Sequence, residues 1–255
     1  MTTANSSPGG VVVLGATGSV GGELVRRLLM QGRPVLAAGR NRSALAALAA
    51  ECDVPTVEVD AADLATIDAA VQAAAQRFGS VAGVANCIGS LLLRPAHTTS
   101  DAQWQETLQV NLGSAFAAVR AAAKAMRTHG GAIALVSSAA AQIGLPSHEA
   151  IAAAKAGVEG LVRSAAATYA NRGIRVNAVA PGLVKSHMTE PLWQNETAAA
   201  NSAQMHALGR LGEPAEVAAA LAWLLDPATS WVTGQVLAVD GGLSSIIPRP
   251  SSRPG

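Results

Sequence analysis

The chain has 255 residues, half of them hydrophobic and 14% charged, with a formal net charge of +1. That supplies a large buried core, excludes disorder as the main state, and provides no general field to gather nucleic acid or acidic lipid. The longest strongly apolar run, residues 217–225, is about half of the ~20 residues a membrane-spanning helix needs. The polar start MTTANSSPGG lacks a cationic segment followed by an apolar one, so no secretion signal is expected. Cys52 and Cys87 sit in no C-x-x-C or His/Cys cluster, which predicts a cytoplasmic protein without a disulfide framework and with no metal site.

In chain order, 10–14 is a short continuous apolar run, the mark of a strand buried on both faces. It runs into Gly15-Ala16-Thr17-Gly18-Ser19-Val20-Gly21 and a helical stretch over about 22–31, which is the opening of a βαβ unit. The alternation continues with a strand at 34–38, a helix at 42–51, a strand at 56–59, a helix at 64–78 and a strand at 81–86. Helices are then expected over 101–128, a strand at 132–137, a long Ala-rich helix over 148–171 and a strand at 175–180. A helix over 214–225, opened by Pro214, and a strand at 235–239 close the set. Parallel neighbours need crossover helices, so the pattern predicts an α/β fold. It is a Rossmann-type, doubly wound parallel sheet in three layers, forming a single domain over 10–243. Residues 184–208 mix His, Met, Trp, Asn and Glu without periodicity, and read as a substrate loop. The segments 1–9 and 244–255 read as a flexible start and tail.

In such sheets ligands bind beyond the carboxyl ends of the strands, where the first strand-helix turn offers N–H groups to a pyrophosphate. Gly15, Gly18 and Gly21 suit that approach. A tight turn alone would also explain them, but their place directly after the first buried strand favours the phosphate cradle. After the second strand comes Gly39-Arg40-Asn41-Arg42, with no carboxylate to take ribose hydroxyls. Arginine's planar fork suits a 2′-phosphate, which favours NADP(H) over NAD(H); otherwise the two arginines are plain surface charges.

Further motifs follow in order. They are Asn86-Cys87-Ile88-Gly89, Asn111, Ser137-Ser138, Lys155-Ala156-Gly157, Ile174-Arg175-Val176-Asn177 with Pro181-Gly182, Gly209-Arg210-Leu211-Gly212-Glu213-Pro214 and Val239-Asp240-Gly241-Gly242. Together they resemble the short-chain dehydrogenase/reductase family over nearly the full chain. The resemblance implies cofactor contacts from Gly15, Thr17, Gly18, Ser19, Val20, Gly21, Arg40, Asp60, Asn86, Pro181, Gly182, Val184 and Ser186. It gives Ser138 to the substrate, Lys155 to the nicotinamide ribose and Asn111 to a water of the proton relay. It also implies homodimers or homotetramers, through the Ala-rich helices over 101–128 and 148–171.

Two departures stand out. The family's Thr-Gly-x-x-x-Gly-x-Gly is altered here, with Leu14 for the threonine, Ser19 at the second glycine position and Gly18 extra. The family's Tyr-x-x-x-Lys places its proton donor on Ile151, which can neither donate a proton nor bond a carbonyl. Tyr169, the single tyrosine, lies fourteen residues beyond Lys155, about 21 Å along a helix. His148 precedes Ile151 by three and Lys155 by seven, so a helix puts all three on one face. The enoyl-reductase branch carries its tyrosine seven residues before the lysine, where His148 now stands. An imidazole titrating near pH ~6.5 could supply the proton; otherwise His148 only begins the helix. Glu149 points about 100° away and reads as a first-turn carboxylate favoured by the helix dipole. These residues predict an NADP(H)-dependent oxidoreductase acting on a carbonyl or conjugated C=C of a small apolar substrate. The alternatives are a non-catalytic dinucleotide-binding partner, or a lyase or isomerase.

Overall fold

The computed structural model describes residues 9–247, so within the segments expected to be loose, 1–8 and 248–255 lie outside the described residues. Strands β1 (Gly10–Leu14), β2 (Val35–Gly39), β3 (Thr56–Glu58), β4 (Val81–Asn86), β5 (Gly131–Val136), β6 (Ile174–Pro181) and β7 (Val236–Val239) form one sheet. Its order is β3-β2-β1-β4-β5-β6-β7, and every pairing is parallel. The chain winds outward one way from β1 and the other way from β4, which opens a crevice at their carboxyl ends.

Side chains alternate across a strand, so each β1 residue is committed to one of two cores. Val12 and Leu14 pack with helices α3 (Ala65–Phe78), α5 (Ser114–Ala125) and α6 (Glu149–Tyr169). Val11 and Val13 face the other way, toward α1 (Ser19–Met30), α2 (Arg42–Cys52) and α9 (Pro214–Leu225). A strand covered on both faces must be apolar throughout, and that is why 10–14 reads as an unbroken apolar run. The result is the three-layer, doubly wound sheet that the alternation predicts. No described helix is long and apolar enough to cross a membrane.

Two stretches differ from expectation. The helix expected over 101–128 is α4 (Asp101–Leu108) and α5, joined by a π turn at Gln109–Gly113. Within it Ser114 Oγ donates to the Val110 carbonyl at 2.6 Å and Asn111 Nδ2 donates to the Thr107 carbonyl at 3.0 Å. Local side-chain bonds of this kind compete with the regular ladder, and single π turns gather at functional sites. Residues 184–208, expected to be a substrate loop, include two helices, α7 (Glu190–Trp193), with Pro191 in its first turn, and α8 (Glu196–Met205), capped by Asn195. Neither buries a residue fully, so neither needs an apolar stripe, and the sequence shows no period there.

Candidate functional site

The turn after β1 is shaped by what it must pass close to. Gly15 has φ +76°, and a Cβ there would lie 2.8 Å from the Cys87 carbonyl carbon and the Ile88 nitrogen; one at Gly21 would run into the Gly15 carbonyl. The loop therefore lies directly on the end of β4 and on its own helix. Gly18 caps α1 without a side chain, so the first-turn N–H groups have no side-chain acceptor. Such a cradle, with a helix N-terminus behind it, fits a pyrophosphate. Thr17 sits against Gly39 at the end of β2: a Cβ on that glycine would be 3.0 Å from Thr17 Oγ1.

The arginines after β2 have different fates. Arg42 pairs with Glu58 of β3, whereas Arg40 is exposed and makes no side-chain hydrogen bond or ion pair to the described residues. Between them Asn41 Oδ1 accepts from Ala44 N and caps α2. Asp60 Oδ1, beyond β3, accepts from Ala62 N at 3.0 Å. Asn86 is buried; its Nδ2 donates to Ser114 Oγ and its Oδ1 accepts from Ile88 N, which ties the end of β4 to the start of α5.

Beyond β4, β5 and β6 opens a cavity of about 400 Å³. Val20, Asn111, Ser138, His148, Ile151, Lys155, Pro181, Gly182, Val184 and Ser186 all line it. The common face expected of His148, Ile151 and Lys155 is present, with His148 as the N-cap of α6 rather than its first residue. The rest of the wall is mainly apolar, including Leu91, Leu93 and Leu145 from one side, and Met188 just before α7, Leu192 of α7 and Met205 of α8 from the other.

Lys155 is buried and donates to the Val136 carbonyl at 2.8 Å. Burial lowers its ammonium from 10.5 to about 8, and the neighbouring Cys87 only partly opposes this. The same burial pushes the Cys87 thiol up to about 12, so it is a protonated, inert wall. A Cβ on Gly89 would be 3.2 Å from Asn111 Oδ1 and 3.7 Å from Lys155 Nζ, so the π turn and α6 converge on this bare backbone. Asn111 donates to Ser90 Oγ and the Thr107 carbonyl and accepts from Ser90 N, using three of the four bonds an amide can make.

Ser138 Oγ accepts from Ala140 N at 3.2 Å, which leaves its own proton free. Its neighbour Ser137 also lines the cavity, but its one hydroxyl proton is committed, shared between Glu159 Oε1 at 3.0 Å and the Lys155 carbonyl at 3.3 Å. His148 Nδ1 is 2.7 Å from the Pro146 carbonyl. A carbonyl only accepts, so Nδ1 carries a hydrogen and Nε2 is the free nitrogen. Ser147, just before it, has φ +62°, a left-handed conformation that a serine adopts at some cost. Glu149 lies in the first turn of α6, as expected, and its carboxylate accepts from Ala96 N at 3.4 Å. His206, which the sequence motifs do not single out, is buried in the cavity wall.

A family model described as enoyl-(acyl carrier protein) reductase matches residues 15–244. The galactitol 2-dehydrogenase (L-tagatose-forming) of Cereibacter sphaeroides is 35% identical over 235 residues, spanning 90% of this chain and 92% of that one. The inactive 2-(S)-hydroxypropyl-CoM dehydrogenase 2 of Xanthobacter autotrophicus is 37% identical over 195 residues, 74% of this chain and 85% of that one. Among solved structures, actinorhodin polyketide ketoreductase with NADPH superposes with a TM-score of 0.88 at 27% identity, covering 96% of this chain and all of that one, 100%.

Proposed function

The chain belongs to the short-chain dehydrogenase/reductase family, and from that premise we propose that it is an NADP(H)-dependent oxidoreductase of a small apolar alcohol, ketone or conjugated alkene. The observation that carries this reading is the meeting of Ser138, His148 and Lys155 on one apolar cavity beside the glycine turn. The nicotinamide cofactor, when bound, supplies or takes the hydride at its C4. Every other element of the chemistry is the chain's own.

The turn from Gly15 to Gly21 cradles the pyrophosphate, with Thr17, Ser19 and Val20 along its edge. Arg40 takes the 2′-phosphate, because it alone of the two arginines is uncommitted. Asp60, beyond β3, and Asn86, at the end of β4, would hold the adenosine half of the cofactor, and Pro181, Gly182, Val184 and Ser186 would hold its nicotinamide half. Lys155 keeps one N–H on Val136 and turns the others to the ribose hydroxyls. Asn111 has one acceptor position left, enough to hold a single water beside Lys155.

Ser138 donates its free proton to the substrate oxygen. His148, anchored through Nδ1–H, exchanges a proton at Nε2. As the neutral ring it accepts the alcohol proton in oxidation; as imidazolium it donates to the carbonyl oxygen or enolate in reduction. Ile151, standing between His148 and Lys155 on α6, contributes shape and no proton. The cavity wall favours an uncharged, apolar substrate over a polyol, which would leave many hydroxyls unpaired. We place the enzyme in the cytoplasm as a homodimer or homotetramer paired through α4, α5 and α6, where Trp104 and Phe116 stand exposed. A monomeric sedimentation profile at micromolar concentration would contradict that pairing.

The second reading, a dinucleotide-binding protein without turnover, is favoured by Ile151 and by the relative named inactive. A panel of apolar ketones, quinones, enones and enoyl thioesters with NADPH, followed by its absorbance, decides between them. Oxidation of NADPH by any class supports the enzyme. Silence across the panel alongside tight NADPH binding supports the second reading.

A further inference from the structure

His206 is the one fully buried histidine among the described residues, 3% exposed, and it stands where three segments meet. Its Nδ1 lies 2.6 Å from the Ser202 carbonyl in α8, so that nitrogen carries a hydrogen. Its Nε2 is then an acceptor, and receives the Leu183 N–H at 3.2 Å, immediately after β6. Both ring nitrogens are satisfied in a single neutral tautomer.

The ring is also clamped by backbone. A Cβ on Gly182 would lie 2.6 Å from Nε2 and 3.1 Å from the Asp240 Cα, so the imidazole packs on a strand end that has no side chain to interpose. From the β7 side Gly241 faces His206, and its carbonyl accepts Leu208 N–H at 3.0 Å. The Asp240 carboxylate, close by, accepts from Gly242 N and Ser244 N and makes no hydrogen bond to the ring, whose two nitrogens are already used. On one side of His206, Pro181, Gly182 and Leu183 line the nicotinamide end of the cavity; on the other, Ala198, Ser202 and Met205 line it from the lid.

Resting on the reading of that cavity as the cofactor and substrate site, we infer that His206 is a positioning residue that joins the seating of lid helix α8 to the placement of the Pro181–Val184 backbone. Binding at the nicotinamide end then orders the lid through two hydrogen bonds on one ring. Without the ring, Leu183 N–H loses its acceptor, and α8, whose C-cap is His206 itself, loses its side-chain bond to the chain just beyond β6.

Each bond can be removed separately. In His206→Asn the shorter amide keeps a donor near Ser202 and cannot reach Leu183. In His206→Gln the longer amide can offer its oxygen to Leu183 and gives up Ser202. The probes are NADPH and NADH, titrated by tryptophan fluorescence; of the four tryptophans, Trp193 lies in the segment concerned, its Nε1 donating to the Ser186 carbonyl. Protection of residues 184–208 from limited proteolysis on adding cofactor is the second readout. We expect His206→Asn to weaken NADPH binding about tenfold. We expect His206→Gln to keep the wild-type affinity and lose the cofactor-induced protection. The inference is overturned if both variants keep both properties, or if both lose both together with a matching fall in melting temperature, which would mark a packing role alone. If His206→Asn does not fold, the result for His206→Gln decides between those outcomes. A wild-type protein that binds neither cofactor overturns the reading of the site, and the inference with it; binding without the split between variants overturns the inference alone.

Discussion

The half of the crevice beside β1 and β2 is made of backbone, and the half beside β5, β6, α7 and α8 is made of side chains. In the first, Gly15 and Gly21 clear the space, α1 starts without a side-chain cap, and the exposed Arg40 makes no side-chain bond to the described residues. In the second, Ser138, His148, Lys155 and a row of leucines and methionines define the cavity. Backbone geometry is transferable between proteins that bind the same dinucleotide. Side-chain walls can change with every substrate. A variant in one half should therefore leave the other half's property intact, and the predictions test that separation.

The largest effect belongs to the side-chain half. His148→Ala should lower turnover by ~10²–10⁴, the usual range for a lost general acid or base, with NADPH affinity nearly unchanged. Steady-state kinetics on the best substrate of the panel, with a binding titration, checks both numbers. Activity insensitive to the substitution would leave Ser138 and a bound water as the proton source. Ile151→Tyr is the complement: a gain in ketone reduction would show that the scaffold still presents the family's geometry.

Next comes the backbone half. Arg40→Ala should remove a charge-assisted bond worth ~1.5–3 kcal/mol, one to two decades of NADPH affinity, and leave NADH binding alone. The wild type should prefer NADPH at least about tenfold. Equal affinities for the two cofactors would sink the assignment. Arg42→Ala should change neither, because that side chain is already on Glu58.

Lys155 belongs to both halves and ranks third. Burial lowers its ammonium from 10.5 to about 8, with Cys87 opposing. Between those values the unfolded chain retains a proton that the folded, empty protein has released, so the stability of the empty protein rises with pH across that window. A ribose and nicotinamide site that prefers the ammonium loses affinity over the same window, by at most about tenfold per pH unit. Titrations from about pH 7 to about pH 9.5 should show this for the wild type. In Lys155→Met the slope should vanish and the affinity be lower throughout.

The same division explains what could be read from the sequence. Strand positions, the cradle and the motif residues at strand ends were legible because burial on both faces forces continuous apolar runs, and close backbone approach forces glycine. The shared face of His148, Ile151 and Lys155 followed from helical spacing alone. The π turn at Asn111 was not legible, since it depends on side-chain bonds to Thr107 and Val110 carbonyls within an otherwise helical stretch. Helices α7 and α8 were missed because helices that bury no residue fully have no period to show. His206 was invisible for a related reason: its partners, Leu183 and Ser202, are brought to it only by the folded lid.

The smallest effect tests whether the backbone half is also rigid beyond its glycines. Asn41 stands between the two arginines and caps α2 with Oδ1, accepting Ala44 N at 3.0 Å. Ser43 Oγ donates to the same oxygen at 2.7 Å, so the cap fixes the chain just where Arg40 leaves β2. Asn41→Ala removes that acceptor and should cost about 1 kcal/mol, or roughly 3 °C in melting temperature for a chain of this size. If Arg40 is aimed by its backbone, the same variant should lose part of the NADPH preference, by a factor of about two to three, with turnover unchanged at saturating cofactor. Calorimetry and paired NADPH and NADH titrations give the two numbers. A melting-temperature loss with the preference fully kept would mean that Arg40 finds the 2′-phosphate by its own flexibility, and that only the glycine turn is preorganised in this half. A loss of turnover at saturation would mean that the two halves are coupled, and would break the separation on which the other predictions depend.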